Sequence, residues 1–238
     1  MNKKISVVIA AYNEEPRISE VLRVVEHHPL IDEVIVVNDG SKDNTSEVVK
    51  KFDVKLIENE HNMGKTLTVK RGIAEAKNDL IMMLDADIKG LESDSIIKLA
   101  KPVLDGRVEW TLSVRGNSLL IYKLLKMDHV SGERIIPKEF FNDPEIWSKP
   151  KIGYGLETLL NKSLIDRKKT FCSVYLPELI VTTKATKDGF WKGFFGEFKM
   201  LYQIRQVMTL HRILEQFFGM VYLNHKYSKA PTKNNLLK

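Results

Sequence analysis

Cysteine is almost absent from this chain of 238 residues. The single thiol, Cys172, has no partner for an internal disulfide. Its setting, Phe171-Cys172-Ser173-Val174-Tyr175, reads as that of a small buried side chain and not a nucleophile. Long apolar runs are missing too: the longest, Val7 to Tyr12, has six residues, against the roughly 20 that a membrane-spanning helix needs. The start lacks a signal-type apolar region and cleavage site, because Met1-Asn2-Lys3-Lys4 leads straight into a strand-like run, and a cytoplasmic location is expected. The histidines show no zinc-type spacing with cysteine or acids, which argues against a soft-metal site. Internal repeats and low-complexity linkers are also lacking, so a single domain with a C-terminal extension is the simplest division.

What is present is apolar and charged in ordinary proportion, 43% hydrophobic and 29% charged, enough for a sizeable core. The net charge of +6 is uneven: residues 1–183 carry 27 basic against 28 acidic side chains, and residues 184–238 carry 10 against 3. A basic segment beside a near-neutral body points to a local anionic contact. No nucleic-acid-binding motif accompanies it, so nucleic acid is not expected as a partner.

Along the first half, apolar runs alternate with helical spacing. Ile5 to Ala11 reads as a strand, and Ile18, Val21, Leu22 and Val25 mark a helix behind Pro16. Val34 to Val37 is a second strand, followed by turn residues Asn38 to Ser41 and a short helix. A third strand is expected near Val54 to Ile57, a helix from Gly64 to Ala76, and a fourth strand over Leu80 to Leu84. Strands that are apolar on both faces and alternate with helices predict an α/β fold with a mostly parallel central sheet covered on both sides. Further on, the pattern predicts a helix near Ser93 to Asp105, a strand near Glu109 to Val114, and a helix over Leu119 to Met127. A polar loop through Ser131 to Arg134, a helix after Gly155, and strands at Thr170 to Leu176 and Leu179 to Thr183 complete it.

In such sheets ligands bind beyond the carboxyl ends of the strands. Asn13 and Glu14 follow the first strand, Asp39 the second, and Asp85 and Asp87 the fourth. Two carboxylates one residue apart converge only through a turn, where they could share one hard divalent ion with diphosphate oxygens. Taken alone, the pair reads first as solvated acids capping the next element, because D-x-D is short and common.

Four motifs in order tip that balance. Val7-Val8-Ile9-Ala10-Ala11-Tyr12-Asn13-Glu14-Glu15, Val36-Val37-Asn38-Asp39-Gly40-Ser41, Asn62-Met63-Gly64-Lys65 and Leu84-Asp85-Ala86-Asp87 closely resemble the N-terminal half of the family 2 glycosyltransferases. The resemblance implies the GT-A fold over residues 1–185, with a donor half (1–90) and an acceptor half (91–185), followed by a basic helical extension (186–238). It implies inverting, non-processive transfer of a hexose from a UDP- or GDP-sugar, with manganese or magnesium as cofactor. Ala11, Tyr12, Asn13, Glu14 and Asp39 would hold the nucleoside; Asp85, Ala86 and Asp87 the diphosphate, with Asp85 and Asp87 on the metal. Departing diphosphate builds charge that nearby cations would stabilise. Lys65, behind Gly64 at a helix start, and Arg71 are the donor-side candidates, Arg71 reading equally as a solvated helix residue.

On the acceptor side, Ser131-Gly132-Glu133-Arg134 resembles the acceptor loop of members that glycosylate polyprenyl phosphates, with Arg134 facing phosphate and Arg115 assisting. Glu157 occupies the place of an acid that deprotonates an acceptor hydroxyl, a role that a phosphate acceptor would not require. Gly153-Tyr154-Gly155-Leu156-Glu157 also resembles enzymes acting on phosphoglycerate, which keeps a small hydroxyl or phosphorylated acceptor open. Two family features are missing: Lys89 replaces a glutamine found in many polyprenyl-phosphate mannosyltransferases, and the Q-x-x-R-W motif of processive synthases is absent. A nucleotidyltransferase would carry a glycine-rich loop near the first strand, also absent. A non-catalytic nucleotide-sugar-binding protein is the remaining rival.

In the extension, Trp191, Phe194, Phe195 and Phe198 begin a helical apolar stripe running to Phe218, accompanied by Lys187, Lys192, Lys199, Arg205 and Arg212. It predicts peripheral membrane contact through 187–221 at the cytoplasmic face, with packing on the core or in a homodimer as the alternatives. Residues 226–238 read as disordered.

Overall fold

The computed structural model describes residues 4–181 and 202–228. Along the chain run β1 (Ile5–Ala11), α1 (Ile18–Val25), β2 (Ile31–Asn38), α2 (Thr45–Val49), β3 (Lys55–Glu58), α3 (Lys65–Glu75), β4 (Leu80–Asp85), β5 (Ile88–Lys89), α4 (Ser93–Leu104), β6 (Trp110–Arg115), α5 (Leu120–Leu124), β7 (Arg134–Pro137), α6 (Gly155–Asp166), β8 (Phe171–Leu176), β9 (Ile180–Val181) and α7 (Leu210–Tyr227). Seven strands form one sheet in the order β3-β2-β1-β4-β7-β6-β8, and β5 pairs with β9 in a small second sheet. Every neighbouring pair in the large sheet is parallel except those that β7 makes with β4 and β6.

Both faces of the sheet are covered, which is why β1, β2 and β4 read as continuous apolar runs. On one side Val7, Ile9, Val36 and Met82 pack with α1 and α4 through Leu22, Ile96 and Leu99. On the other, Val8, Val37, Ile81 and Met83 pack with α3, α6 and α7 through Val69, Leu160 and Met220. The strand order reverses between β1 and β4, and that switch opens a crevice at the carboxyl edge. Because β6 runs parallel to β8 and antiparallel to β7, its carboxyl end reaches the same edge, together with the start of β7.

Three expectations need correction. The stretch Ser131 to Arg134 is not a surface loop: Ser131, Glu133 and Arg134 are buried and Arg134 opens β7. Ser131, Arg134 and one carboxylate oxygen of Glu133 are hydrogen-bonded inside the fold, which hydropathy cannot register. The helix expected to reach Met127 ends at Leu124, and Lys126 turns the chain with φ 50°. Lys226 and Tyr227 are not disordered; they close α7, which packs on β8 and α6. The aromatic cluster Trp191 to Phe198 lies outside the described residues.

Candidate active site

A cleft of about 670 Å³ occupies the carboxyl edge of the sheet. Of the residues expected to hold a donor, it gathers Ala11, Tyr12, Glu14, Asp39, Gly64, Lys65, Asp85, Ala86 and Asp87, and Glu157 and Arg115 line it as well. Asn13 and Arg71 do not. Asn13, in the left-handed region at φ 56°, braces two loops, its amide donating to Ser41 Oγ at 2.9 Å and its Oδ1 accepting from Lys42 N at 2.8 Å. Arg71 is spent on the Glu58 carbonyl at 2.7 Å and Asn59 Oδ1 at 2.5 Å.

Asp39 lies on the cleft wall, buried, and holds the loop before α3. Its Oδ1 accepts from Asn59 Nδ2 and Met63 N, both at 2.8 Å, and its Oδ2 from Gly64 N at 2.9 Å. Gly64 supplies the φ of 86° at which the chain enters α3, a conformation that costs glycine little. That turn delivers Lys65 to the cleft. Its Nζ donates to Asp85 Oδ1 at 2.7 Å and to Glu157 Oε1 at 2.8 Å, joining the end of β4 to the first turn of α6.

The register of β4 against β7 pairs Met83 with Arg134, and two residues further the same register sets Gly132 against Asp85. A Cβ on Gly132 would lie 2.6 Å from Asp85 Oδ1, so only glycine leaves room for that carboxylate. Gly132 thus belongs to the Asp85 environment. Ser131 and Arg134 are placed behind the cleft, not in it. Ser131 Oγ bonds Ser113 Oγ at 2.6 Å and Glu133 Oε2 at 2.7 Å. Arg134 donates to the Ser131 carbonyl and, at 3.0 Å, to Asn161 Oδ1. The guanidinium expected to face an acceptor phosphate is therefore committed to the interior, because β7 carries it inward.

Arg115, at the end of β6, is the cation on that wall. It faces Asp128 Oδ2 at 3.4 Å and Glu133 Oε1 at 3.8 Å, and its Nε is buried with no hydrogen-bond partner. Burial, which alone would lower its pKa, is outweighed by Glu133, Asp128 and Asp85, so it stays charged. Sequence reasoning missed Ser118, Tyr122 and Asp128 on this wall: they come from a short helix and its flanking loops without periodic signal. Asn62 and Tyr154 also line the cleft, and both sit in motifs already conspicuous in the sequence.

The two carboxylates of the Asp85-Ala86-Asp87 turn differ in state. Burial raises Asp85, but Lys65, Arg115 and Arg134 outweigh it and its carboxyl lies below the usual range. Asp87 is pushed up to about 6 by burial and by the charges of Asp85 and Glu14, with Arg17 and Lys65 opposing. Among the described residues Asp87 makes no hydrogen bond or ion pair. A hard divalent cation fits this donor set: it would relieve the crowded negative charge, with one or two carboxylates from the protein and the remaining oxygens from a diphosphate. No cluster of three or more acid, histidine or cysteine side chains among the described residues offers a closed metal cage. Lys89, in the place of the missing glutamine, is exposed on β5 and supplies no ligand.

The sheet order and the acids at the strand ends are those of the GT-A fold. Residues 6–119 match the model described as Glycosyl transferase family 2. An uncharacterized protein of Methanocaldococcus jannaschii is 36% identical over 202 residues, covering 71% of this chain and 85% of that protein. The chain belongs to glycosyl transferase family 2. A dolichyl-phosphate β-glucosyltransferase of Trichomonas vaginalis is 39% identical over 94 residues, 34% of this chain and 28% of that protein. The chain therefore spans under a third of that transferase. The structure of glucosyl-3-phosphoglycerate synthase from Mycobacterium tuberculosis, in complex with Mn2+, UDP and phosphoglyceric acid, superposes with a TM-score of 0.67 at 22% identity. It covers 86% of this chain and 78% of the other, and shows the shared fold.

Proposed function

We propose that this protein is an inverting, non-processive transferase that moves a hexose from a UDP- or GDP-sugar to a lipid-phosphate acceptor at the cytoplasmic surface of a membrane. The observation that carries this reading is the ion-paired bridge Asp85–Lys65–Glu157 on the cleft floor, with Arg115 on the facing wall. Glu157 Oε1 already accepts from the Lys65 ammonium at 2.8 Å, which occupies that oxygen. An ionised phosphate acceptor needs no base, and Arg115, with a buried Nε to spare, offers it a counter-charge.

Asp87 and Asp85 would hold manganese or magnesium, which when bound neutralises charge on the departing diphosphate. Lys65 keeps Asp85 ionised and oriented, and Asp39 fixes the loop that aims Lys65. Ala11 and Tyr12 wall the nucleoside end. Glu157 Oε2 is buried without a hydrogen-bond partner, which favours as a second reading a small acceptor whose hydroxyl donates to it. The dolichyl-phosphate transferase relative supports the lipid reading, and the phosphoglycerate enzyme supports the second.

Calorimetry with UDP, GDP and their glucose and mannose derivatives, with and without manganese, tests the donor reading on wild type and Asp85→Ala/Asp87→Ala. The expected result is manganese-dependent binding of one nucleotide, lost in the double variant. Equal binding by both proteins would sink the assignment of these carboxylates.

A further inference from the structure

Bulky apolar side chains stand in water around one end of the cleft. On α5, Leu120, Ile121 and Leu124 are 70%, 51% and 69% exposed. On α7, Leu210, Leu214, Phe218 and Tyr222 recur every fourth residue, all about half exposed or more, a spacing that keeps them on one side of the helix. The opposite side of α7 is engaged with the fold. Gln216 donates to the Thr158 carbonyl at 2.9 Å, Asn224 accepts from Ser173 N at 2.8 Å, and Met220 is fully buried. The outer stripe is therefore not the trace of a poorly seated helix.

α5 and α7 lie side by side. The Tyr122 ring is 6.2 Å from that of Phe217, which is 5.7 Å from Phe218, and Asn224 Nδ2 donates to the Lys126 carbonyl at 2.8 Å. Tyr122 also lines the cleft, so the apolar surface begins at the cleft's mouth. Its basic side chains outnumber its acids. Residues 117–126 hold Lys123 and Lys126 and no acid, and α7 carries Arg212 and Lys226 against one acid, Glu215, which is paired to Arg212 at 3.1 Å.

We propose that the outer faces of α5 and α7 form one docking surface for an anionic phospholipid bilayer, seating the cleft's mouth at the headgroups. Leucine and aromatic side chains enter the acyl boundary while the lysines and arginines meet lipid phosphates. No helix among the described residues is long and apolar enough to cross a membrane, which leaves α7 lying in its plane. A second copy suits the face less well, since its excess of basic side chains would meet the same excess on the partner. The inference deepens the lipid-acceptor reading, which gives the surface its use, and moves the membrane contact expected through 187–221 onto α5 and the whole of α7.

The test is co-sedimentation of the full chain with vesicles of phosphatidylcholine alone and of phosphatidylcholine with phosphatidylglycerol. Wild type is expected to bind the mixed vesicles about tenfold or more tightly. Leu120→Ser/Leu124→Ser and Phe218→Ser/Tyr222→Ser should each weaken that binding about tenfold, and Lys123→Glu/Lys126→Glu should abolish the preference for anionic lipid. Thermal melting and UDP calorimetry on the same proteins establish that each variant folds and keeps its cleft. Vesicle binding equal to wild type in all variants would overturn the proposal by placing the contact in another segment. So would an absence of vesicle binding, whether or not the serine variants dissociate a dimer in sedimentation velocity. The transferase reading fails separately, on nucleotide binding.

Discussion

Lys65 is the residue on which the cleft turns. Its ammonium separates two carboxylates that would otherwise share a poorly solvated space, and its pKa is raised because burial is outweighed by Asp85 and Glu157. Removing one partner of a fully buried pair costs about 3–5 kcal/mol. Lys65 is 34% exposed, and solvent screening brings the expected cost of Lys65→Met to about 1–3 kcal/mol. Urea unfolding should show that loss, and Lys65→Met/Glu157→Gln should recover part of it by removing one of the stranded charges. A double variant no more stable than the single one would mean that Lys65 contributes packing and not charge. Gly132 makes a complementary test. Gly132→Ala presses a methyl group on the Asp85 carboxylate while leaving its charge in place. A misplacement of that kind is expected to lower donor turnover about 10²-fold, with a melting temperature close to that of wild type. Unchanged turnover would show that the position of Asp85 is not critical.

At the scale of elements, α7 is fixed by amide side chains as well as by the buried Met220. Asn224 satisfies the Ser173 amide on the edge strand β8 and the Lys126 carbonyl, and Gln216 caps the Thr158 carbonyl. Asn224→Leu leaves the Ser173 amide unpaired, at about 1–3 kcal/mol if it stays buried, while the Lys126 carbonyl keeps Ser173 Oγ as a donor. Hydrogen exchange should then rise at β8 and α7 and remain as in wild type at β1, β2 and β4. A uniform rise would mean that α7 unfolds only with the whole sheet. The same elements show what could be read from the sequence. β1, β2 and β4 announced themselves because a sheet covered on both faces needs unbroken apolar runs, and the acids at their ends followed. β7 was invisible because it is only four residues long and opens on Arg134, polar yet buried and bonded to Asn161, behind a polar approach in which Ser131 and Glu133 are held by Ser113. Periodicity records the partition between water and core, and it is blind to polar groups that satisfy one another. The cleft wall around Arg115 was lost for the same reason, since Ser118 and Asp128 meet there only through tertiary contact.

For the molecule as a whole, pH sets two buried groups against each other. His129 packs edge-on against Tyr122 and Phe217, with Nδ1 buried and without a hydrogen-bond partner, and burial pushes its pKa down to about 4. The unfolded chain, with an ordinary imidazole near 6.5, takes up a proton first. Stability is therefore lost as pH falls from about 6.5 towards 4, by about 3 kcal/mol in total from this group. Asp87 acts in the opposite sense. Its folded pKa of about 6 exceeds the unfolded value of 3.8, so the native state takes up the proton first and gains stability over nearly the same interval. The two contributions offset, and in chelator the wild-type unfolding free energy should change little between pH 6 and pH 4.5. His129→Phe keeps an aromatic ring beside Tyr122 and Phe217 but cannot titrate, which leaves the Asp87 contribution opposed in this interval chiefly by His28, whose pKa burial also lowers. Urea unfolding of that variant should show stability rising as pH falls through the interval, a slope opposite in sign to that of ordinary acid denaturation. Parallel profiles for wild type and variant would mean that His129 is protonated alike in the folded and unfolded chains, and that the Tyr122–His129–Phe217 junction admits water.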